Sequence, residues 1–97
     1  MTPDEAQDAL AKLRDTIDEV DLGILELLNQ RTVVVQQIGR IKQTMAMPIY
    51  EPKREDAVFA NVMTNNHGPL PNDSVKRLFE RIIDEMRTVQ KVQMEHK

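Results

Sequence analysis

The 97-residue chain has no cysteine and no tryptophan, and its aromatics are one tyrosine and two phenylalanines. Without cysteine there are no disulfides, no thiolate metal ligands and no cysteine nucleophile, which suits a reducing compartment. With aromatics at 3%, a core has to come from Leu, Ile, Val and Met, and a base-stacking platform is not expected. Long apolar runs are missing too, since none approaches the ~20 residues of a membrane span. The first eight residues are acidic and polar, unlike the start of a secretory signal. A net charge of −3 argues against broad phosphate-backbone binding. The expectation is one cytoplasmic domain over residues 1–97, with no nucleic-acid or membrane partner.

What is present is helical periodicity cut by proline. Pro3, Pro48, Pro52, Pro69 and Pro71 leave three proline-free stretches. In the first, Leu10, Leu13, Ile17, Val20, Ile24, Leu27, Val34, Ile38, Ile41 and Met45 recur in alternating steps of three and four, the heptad pattern of a long helix. Pro3 with Asp4 and Glu5 behind it suits a helix start, and Pro48 marks a stop. Pro52 opens a second helix, with Glu51 placed to cap it and Glu55, Val58, Phe59, Val62 and Met63 on its inward stripe. Asn65 to Pro69 read as a stop and turn. Asn72, Asp73 or Ser74 can cap a third helix, whose stripe is Val75, Leu78, Phe79, Ile82, Ile83, Met86, Val89 and Gln90. The fold class is therefore all-α, with one very long, one short and one medium helix over about 4–47, 52–66 and 73–95.

The long helix sets the assembly. At ~1.5 Å per residue, ~44 residues run for about 66 Å, whereas a compact chain of this size spans only ~30–35 Å. Two shorter helices cannot cover such a seam. The heptad runs uninterrupted across Gly23, which favours a second chain packed along it over a break there. A two-fold homodimer is the default arrangement.

Polar residues occupy slots where the seam wants apolar ones. The one gap in the heptad is Arg31, and a guanidinium there is costly unless paired. Lys42 follows three turns later, only about 20° away round the axis. Arg14 lies ~25 Å before Arg31 and about 100° round, so it can reach the same pocket only from an antiparallel partner. Taken singly, each cation also fits an ordinary surface role, Arg14 especially, with Asp18 four residues on. Gln90 continues the inward stripe of the third helix, and either a satisfied core amide or a ligand donor fits it. Glu55 can face the second helix's stripe while Arg54 takes the flank. Together they describe a small pocket of cations, one amide and one carboxylate, suited to a compact dianion bearing a hydroxyl. His67 in the turn and His96 in the tail have no triad or metal partners, and there is no glycine-rich phosphate loop. Asp18, Asp21, Asp84, Glu85 and Glu95 fit solvated faces.

Leu13-Arg14-x-x-Ile17-Asp18-x-x-Asp21, Leu27-Leu28-x-x-Arg31, Ile38-Gly39-x-x-Lys42, Tyr50-x-Pro52-x-Arg54-Glu55 and Phe79-x-x-Ile82-Ile83 ending at Gln90 together resemble the all-helical AroQ-class chorismate mutases. The likeness covers about residues 8–93. The Asn65-Asn66-x-Gly68-Pro69 turn looks most like the subgroup fused to, or working beside, DAHP synthase. The resemblance implies an intertwined helical homodimer, no cofactor or metal, and the rearrangement of chorismate to prephenate. Carried over by position, it implies that Arg31 and the partner chain's Arg14 hold substrate carboxylates. Lys42 and Gln90 would donate to the ether oxygen. Glu55 would bind the ring hydroxyl, helped by the backbone near Glu51, and Arg54 would flank the mouth. Two positions depart from the family pattern, which often has Asp where this chain has Glu51 and Ser where it has Met86. The second change removes one donor to a carboxylate. An isochorismate pyruvate lyase on the same scaffold is the alternative chemistry, with Glu55 as the discriminating residue. A helical regulatory module binding a shikimate-pathway enzyme is the alternative class.

Overall fold

The computed structural model describes residues 1–95, so His96 lies outside the described residues. Three helices form: α1 (Pro3–Thr44), α2 (Pro52–Thr64) and α3 (Asn72–Glu95). The chain divides into two compact units, Met1–Val33 and Val34–Lys97. No described helix is long and apolar enough to cross a membrane.

Each terminus has a local cause. At the start of α1 the Glu5 amide donates to Thr2 Oγ1 at 3.1 Å and the Thr2 amide to Glu5 Oε1 at 3.4 Å. This is a capping box, with Pro3 in the first helical position. The other end of α1 closes at Thr44, three residues short of 47. There the Met47 amide reaches back to the Lys42 carbonyl at 2.7 Å and the Ala46 amide to that of Gln43 at 3.4 Å. These two bonds make a Schellman motif. It puts Ala46 at φ 54°, a left-handed conformation usually given to glycine.

The α1–α2 link leads to Glu51 at the N-cap of α2, with Pro52 following. Glu51 does not cap with its side chain; only its carbonyl takes part, accepting from the Glu55 amide at 3.0 Å. α2 ends at Thr64, where the Asn65 amide donates to the Asn61 carbonyl at 3.1 Å. In the turn that follows, Asn66 Nδ2 donates to the Leu70 carbonyl and to Asn72 Oδ1, both at 2.7 Å. Asn66 Oδ1 also accepts from the Gly68 amide at 3.0 Å. Asn72 is thus engaged by the turn, and Ser74 Oγ accepts from Arg77 at 3.2 Å. The Pro71 carbonyl instead receives the first bond of α3, from Val75 at 3.0 Å.

In the unit Val34–Lys97, α2 packs on α3. The expected α2 stripe, Glu55, Val58, Phe59, Val62 and Met63, is half-buried throughout. On α3, Val75, Ile83, Met86 and Gln90 are buried. Leu78 departs from its expected place and is 54% exposed. It lies about 100° round from Phe79, so the stripe drawn from sequence was one residue too wide.

The face of α1 covered within this unit is Val35, Gln36, Gly39, Lys42 and Gln43. The heptad seam of Val34, Ile38, Ile41 and Met45 points about 130° away from it and is exposed. In the unit Met1–Val33, Leu10, Leu13, Ile17, Val20, Ile24 and Leu27 are exposed as well. All ten seam residues keep 44–66% of their surface, far from the burial such residues normally reach.

Candidate functional site

The C-terminal turn of α1 delivers Lys42 into the interior, where it is 7% exposed. A buried ammonium needs partners, and the α1–α2 link supplies two. Lys42 Nζ donates to the Ile49 carbonyl at 3.1 Å and stands 3.1 Å from Glu51 Oε2. This pairing takes the Glu51 side chain from the capping role expected of it. An ammonium carries three N–H donors, and these contacts use two.

Gln90 arrives from α3. It is 6% exposed and donates Nε2 to the Val35 carbonyl at 3.1 Å. Gly39 allows this approach: a Cβ there would lie 3.4 Å from Gln90 Cγ and would overlap Gln93 Oε1. Gln93 in turn donates Nε2 to the Gln36 carbonyl at 2.9 Å, so α3 is tied to α1 beyond Gln90. Lys42 follows Gly39 by three residues, just under one turn. Val35, whose carbonyl takes the buried amide, lies seven residues before Lys42, about two turns back on the same face of α1. Met86, one turn before Gln90, is buried as well, at 8% exposure.

Glu55 follows Glu51 by one turn and is 18% exposed in its side chain. Its Oε2 lies 3.2 Å from Arg87 Nε. That Nε is buried and makes no linear hydrogen bond, so the contact is ionic and lies off the N–H axis. Arg87 also rests over the Tyr50 ring, 5.5 Å from its centroid, and 3.8 Å from Asp84. Sequence reasoning passed over Arg87. The signal was its position three residues before Gln90, at the edge of the inward stripe.

Of the residues singled out from sequence, Lys42, Glu51, Glu55, Met86 and Gln90 thus stand in one unit. Arg54, in the first turn of α2, is exposed. In the unit Met1–Val33, Arg14 is exposed, whereas Arg31 is half-buried and engaged in an interaction. His67 is exposed in its turn. Among the described residues no group of three or more His, Cys, Asp or Glu could hold a metal ion.

Chemically, this site offers two buried donors and a half-buried carboxylate. Lys42 and Gln90 can stabilise negative charge growing on an oxygen in a water-poor setting, and Glu55 can accept from a hydroxyl.

Comparison with known proteins places these observations in context. The family model described as "Chorismate mutase type II" matches residues 13–91. The chain is 42% identical over 78 residues to a bifunctional chorismate mutase/prephenate dehydratase of Neisseria gonorrhoeae, covering 80% of this chain and 21% of that protein. It is 30% identical over 88 residues to a chorismate mutase of Methanocaldococcus jannaschii, covering 89% of this chain and 88% of that one. A Helicobacter pylori chorismate mutase solved in complex with prephenate superposes with a TM-score of 0.86 at 26% identity, covering 93% and 98% of the two chains. The chain spans about a fifth of the length of the bifunctional relatives it matches. Those relatives are named for prephenate dehydratase, so the DAHP-synthase subgroup suggested by the Asn65–Pro69 turn finds no support in them.

Proposed function

Since this chain belongs to the chorismate mutase type II family, we propose that it rearranges chorismate to prephenate, working in the cytoplasm as a homodimer with two shared sites. The observation that carries this reading is the burial of two donors, Lys42 and Gln90, at 7% and 6% exposure. The rearrangement is unimolecular: the ether C–O bond breaks as a C–C bond forms, and no proton, nucleophile or cofactor takes part. Such a reaction asks two things of a protein.

The first is to hold the substrate in its compact reactive shape, which removes much of the entropy barrier. Arg31 and the partner chain's Arg14 are proposed to do this by gripping the two carboxylates. Glu55 would fix the ring hydroxyl, with the backbone at Glu51 assisting and Arg54 at the entrance. The second is to stabilise charge building on the ether oxygen. Lys42 and Gln90 are the proposed donors. Because the charge grows as the bond breaks, their interaction favours the transition state over the substrate. With Met86 in place of a small polar residue, one carboxylate has a donor fewer.

The dimer is supported by the ten exposed seam residues, Leu10 to Met45. Full burial of such a side chain is worth about 1.5–3 kcal/mol, and about half of that remains to be gained where roughly half the surface is still exposed. The test is to follow chorismate loss with purified protein and to convert the product to phenylpyruvate with acid. Loss above the uncatalysed rate with no pyruvate released is expected. Pyruvate release from isochorismate in a parallel assay would indicate the lyase, and chorismate loss at only the uncatalysed rate would overturn the assignment.

A further inference from the structure

Arg87, which the proposed reaction does not use, is a half-buried charged residue of this unit. It joins three elements. From α3 it reaches Glu55 on α2 at 3.2 Å and stacks over Tyr50 of the α1–α2 link at 5.5 Å. Its side chain is 34% exposed, but that of Glu55 is only 18% exposed. A carboxylate so covered is costly without a cation beside it.

We infer that Arg87 is a positioning residue for Glu55, holding that carboxylate in one orientation so that it can accept the hydroxyl of a bound substrate. The inference rests on the proposed reading of the site. Its geometry is specific. Arg87 engages Oε2, and a carboxylate has a second oxygen with acceptor capacity of its own. Nε makes no linear hydrogen bond, and the guanidinium carbon lies over the Tyr50 ring, 5.5 Å from its centroid, within the range of a cation–π contact. Asp84, 3.8 Å from the Arg87 Nη2, supports the opposite end. Tyr50, Arg87 and Glu55 therefore form a chain of contacts from ring to guanidinium to carboxylate. The same guanidinium ties α2 and the link to the helix that carries Gln90.

Glu55 would touch the substrate hydroxyl in both ground and transition states, so a fault in its placement shows mainly in KM. The experiment is a double-mutant cycle in steady-state kinetics on the full chain, with Arg87→Leu, Glu55→Gln and the double variant, and Arg87→Lys as the conservative change. Arg87→Leu is expected to raise KM about tenfold with kcat within about threefold. In the Glu55→Gln background the same change should have little further effect. Arg87→Lys should recover most of the KM. If Arg87→Leu fails to fold, Arg87→Gln, which keeps a planar group over Tyr50, takes its place in the cycle.

Additive effects, or a Lys variant as impaired as the Leu variant, would overturn the assignment while the wild type still turns over chorismate. An inactive wild type would overturn the underlying reading, and this inference with it.

Discussion

Lys42 and Glu51 face each other across the α1–α2 link, the ammonium nitrogen 3.1 Å from a carboxylate oxygen, with the lysine buried and the glutamate 41% exposed. The pair closes the loop that leads into α2 and takes Glu51 away from the helix cap. It also sets a negative charge against a donor proposed to serve a dianion.

Replacing Glu51 by Gln should therefore lower KM for chorismate several-fold, since the substrate would no longer compete with a carboxylate for Lys42. Salt screens the exposed end of the pair, so the difference from wild type should shrink as ionic strength rises. Steady-state kinetics at two salt concentrations checks both points. A higher KM would mean that the carboxylate orients Lys42 rather than competing for it.

Gln90 is proposed as a neutral donor to an oxygen that becomes negative. In Gln90→Glu the carboxylate can donate only when protonated; ionised, it repels the developing charge. Activity of this variant should fall as pH rises, while wild type varies little over the same range. A pH–rate profile of both proteins measures this, and parallel profiles would remove Gln90 from contact with the ether oxygen.

Ala46 holds the left-handed position of the motif that ends α1, at φ 54°, a conformation costing a non-glycine residue roughly 1–2 kcal/mol. Ala46→Gly should stabilise the fold by up to about 1 kcal/mol, part of the relief being offset by the entropy of the unfolded glycine. Thermal or denaturant unfolding reads the change, and a loss of stability would contradict it.

Two defective chains should rescue each other. Arg14→Ala removes a residue proposed to serve the partner's site, and Lys42→Ala one that serves its own chain. In a mixed dimer one site carries both defects and the other carries neither. Mixed chains should regain activity toward a quarter of wild type, since half the dimers are mixed and half their sites intact. No recovery, with mixed dimers shown to form, would speak against a shared site.

Much of this was legible in the chain itself. Helical period and proline placement located three helices, and the gap at Arg31 together with the inward slot of Gln90 marked polar residues on apolar faces. The ends were less legible because they depend on backbone detail. Ala46 is a helix former by propensity, and nothing local announces that it will stop α1 in a conformation usual for glycine. Glu51 was read by its position before Pro52, which cannot reveal that a buried ammonium seven residues after Val35 will claim its side chain. Arg87 went unread because its partners, Tyr50 and Glu55, lie more than thirty residues away. Gln93 went unread for the same reason: its bond to the Gln36 carbonyl depends on α3 crossing α1 at Gly39. Contacts of that kind follow from packing, not from local pattern.

The most direct measurement compares wild type with Lys42→Ala on chorismate, identifying the product and quantifying turnover, with circular dichroism to verify the fold. Removing one donor to a developing oxyanion typically costs about 10²–10³ in kcat. Wild type should yield prephenate one-for-one, with turnover in the variant lower by that factor or more. Stability should fall by only about 1–2 kcal/mol, because the half-exposed Glu51 can return to water. Equal turnover in a folded Lys42→Ala protein, or a wild type no faster than the uncatalysed reaction, would contradict this expectation.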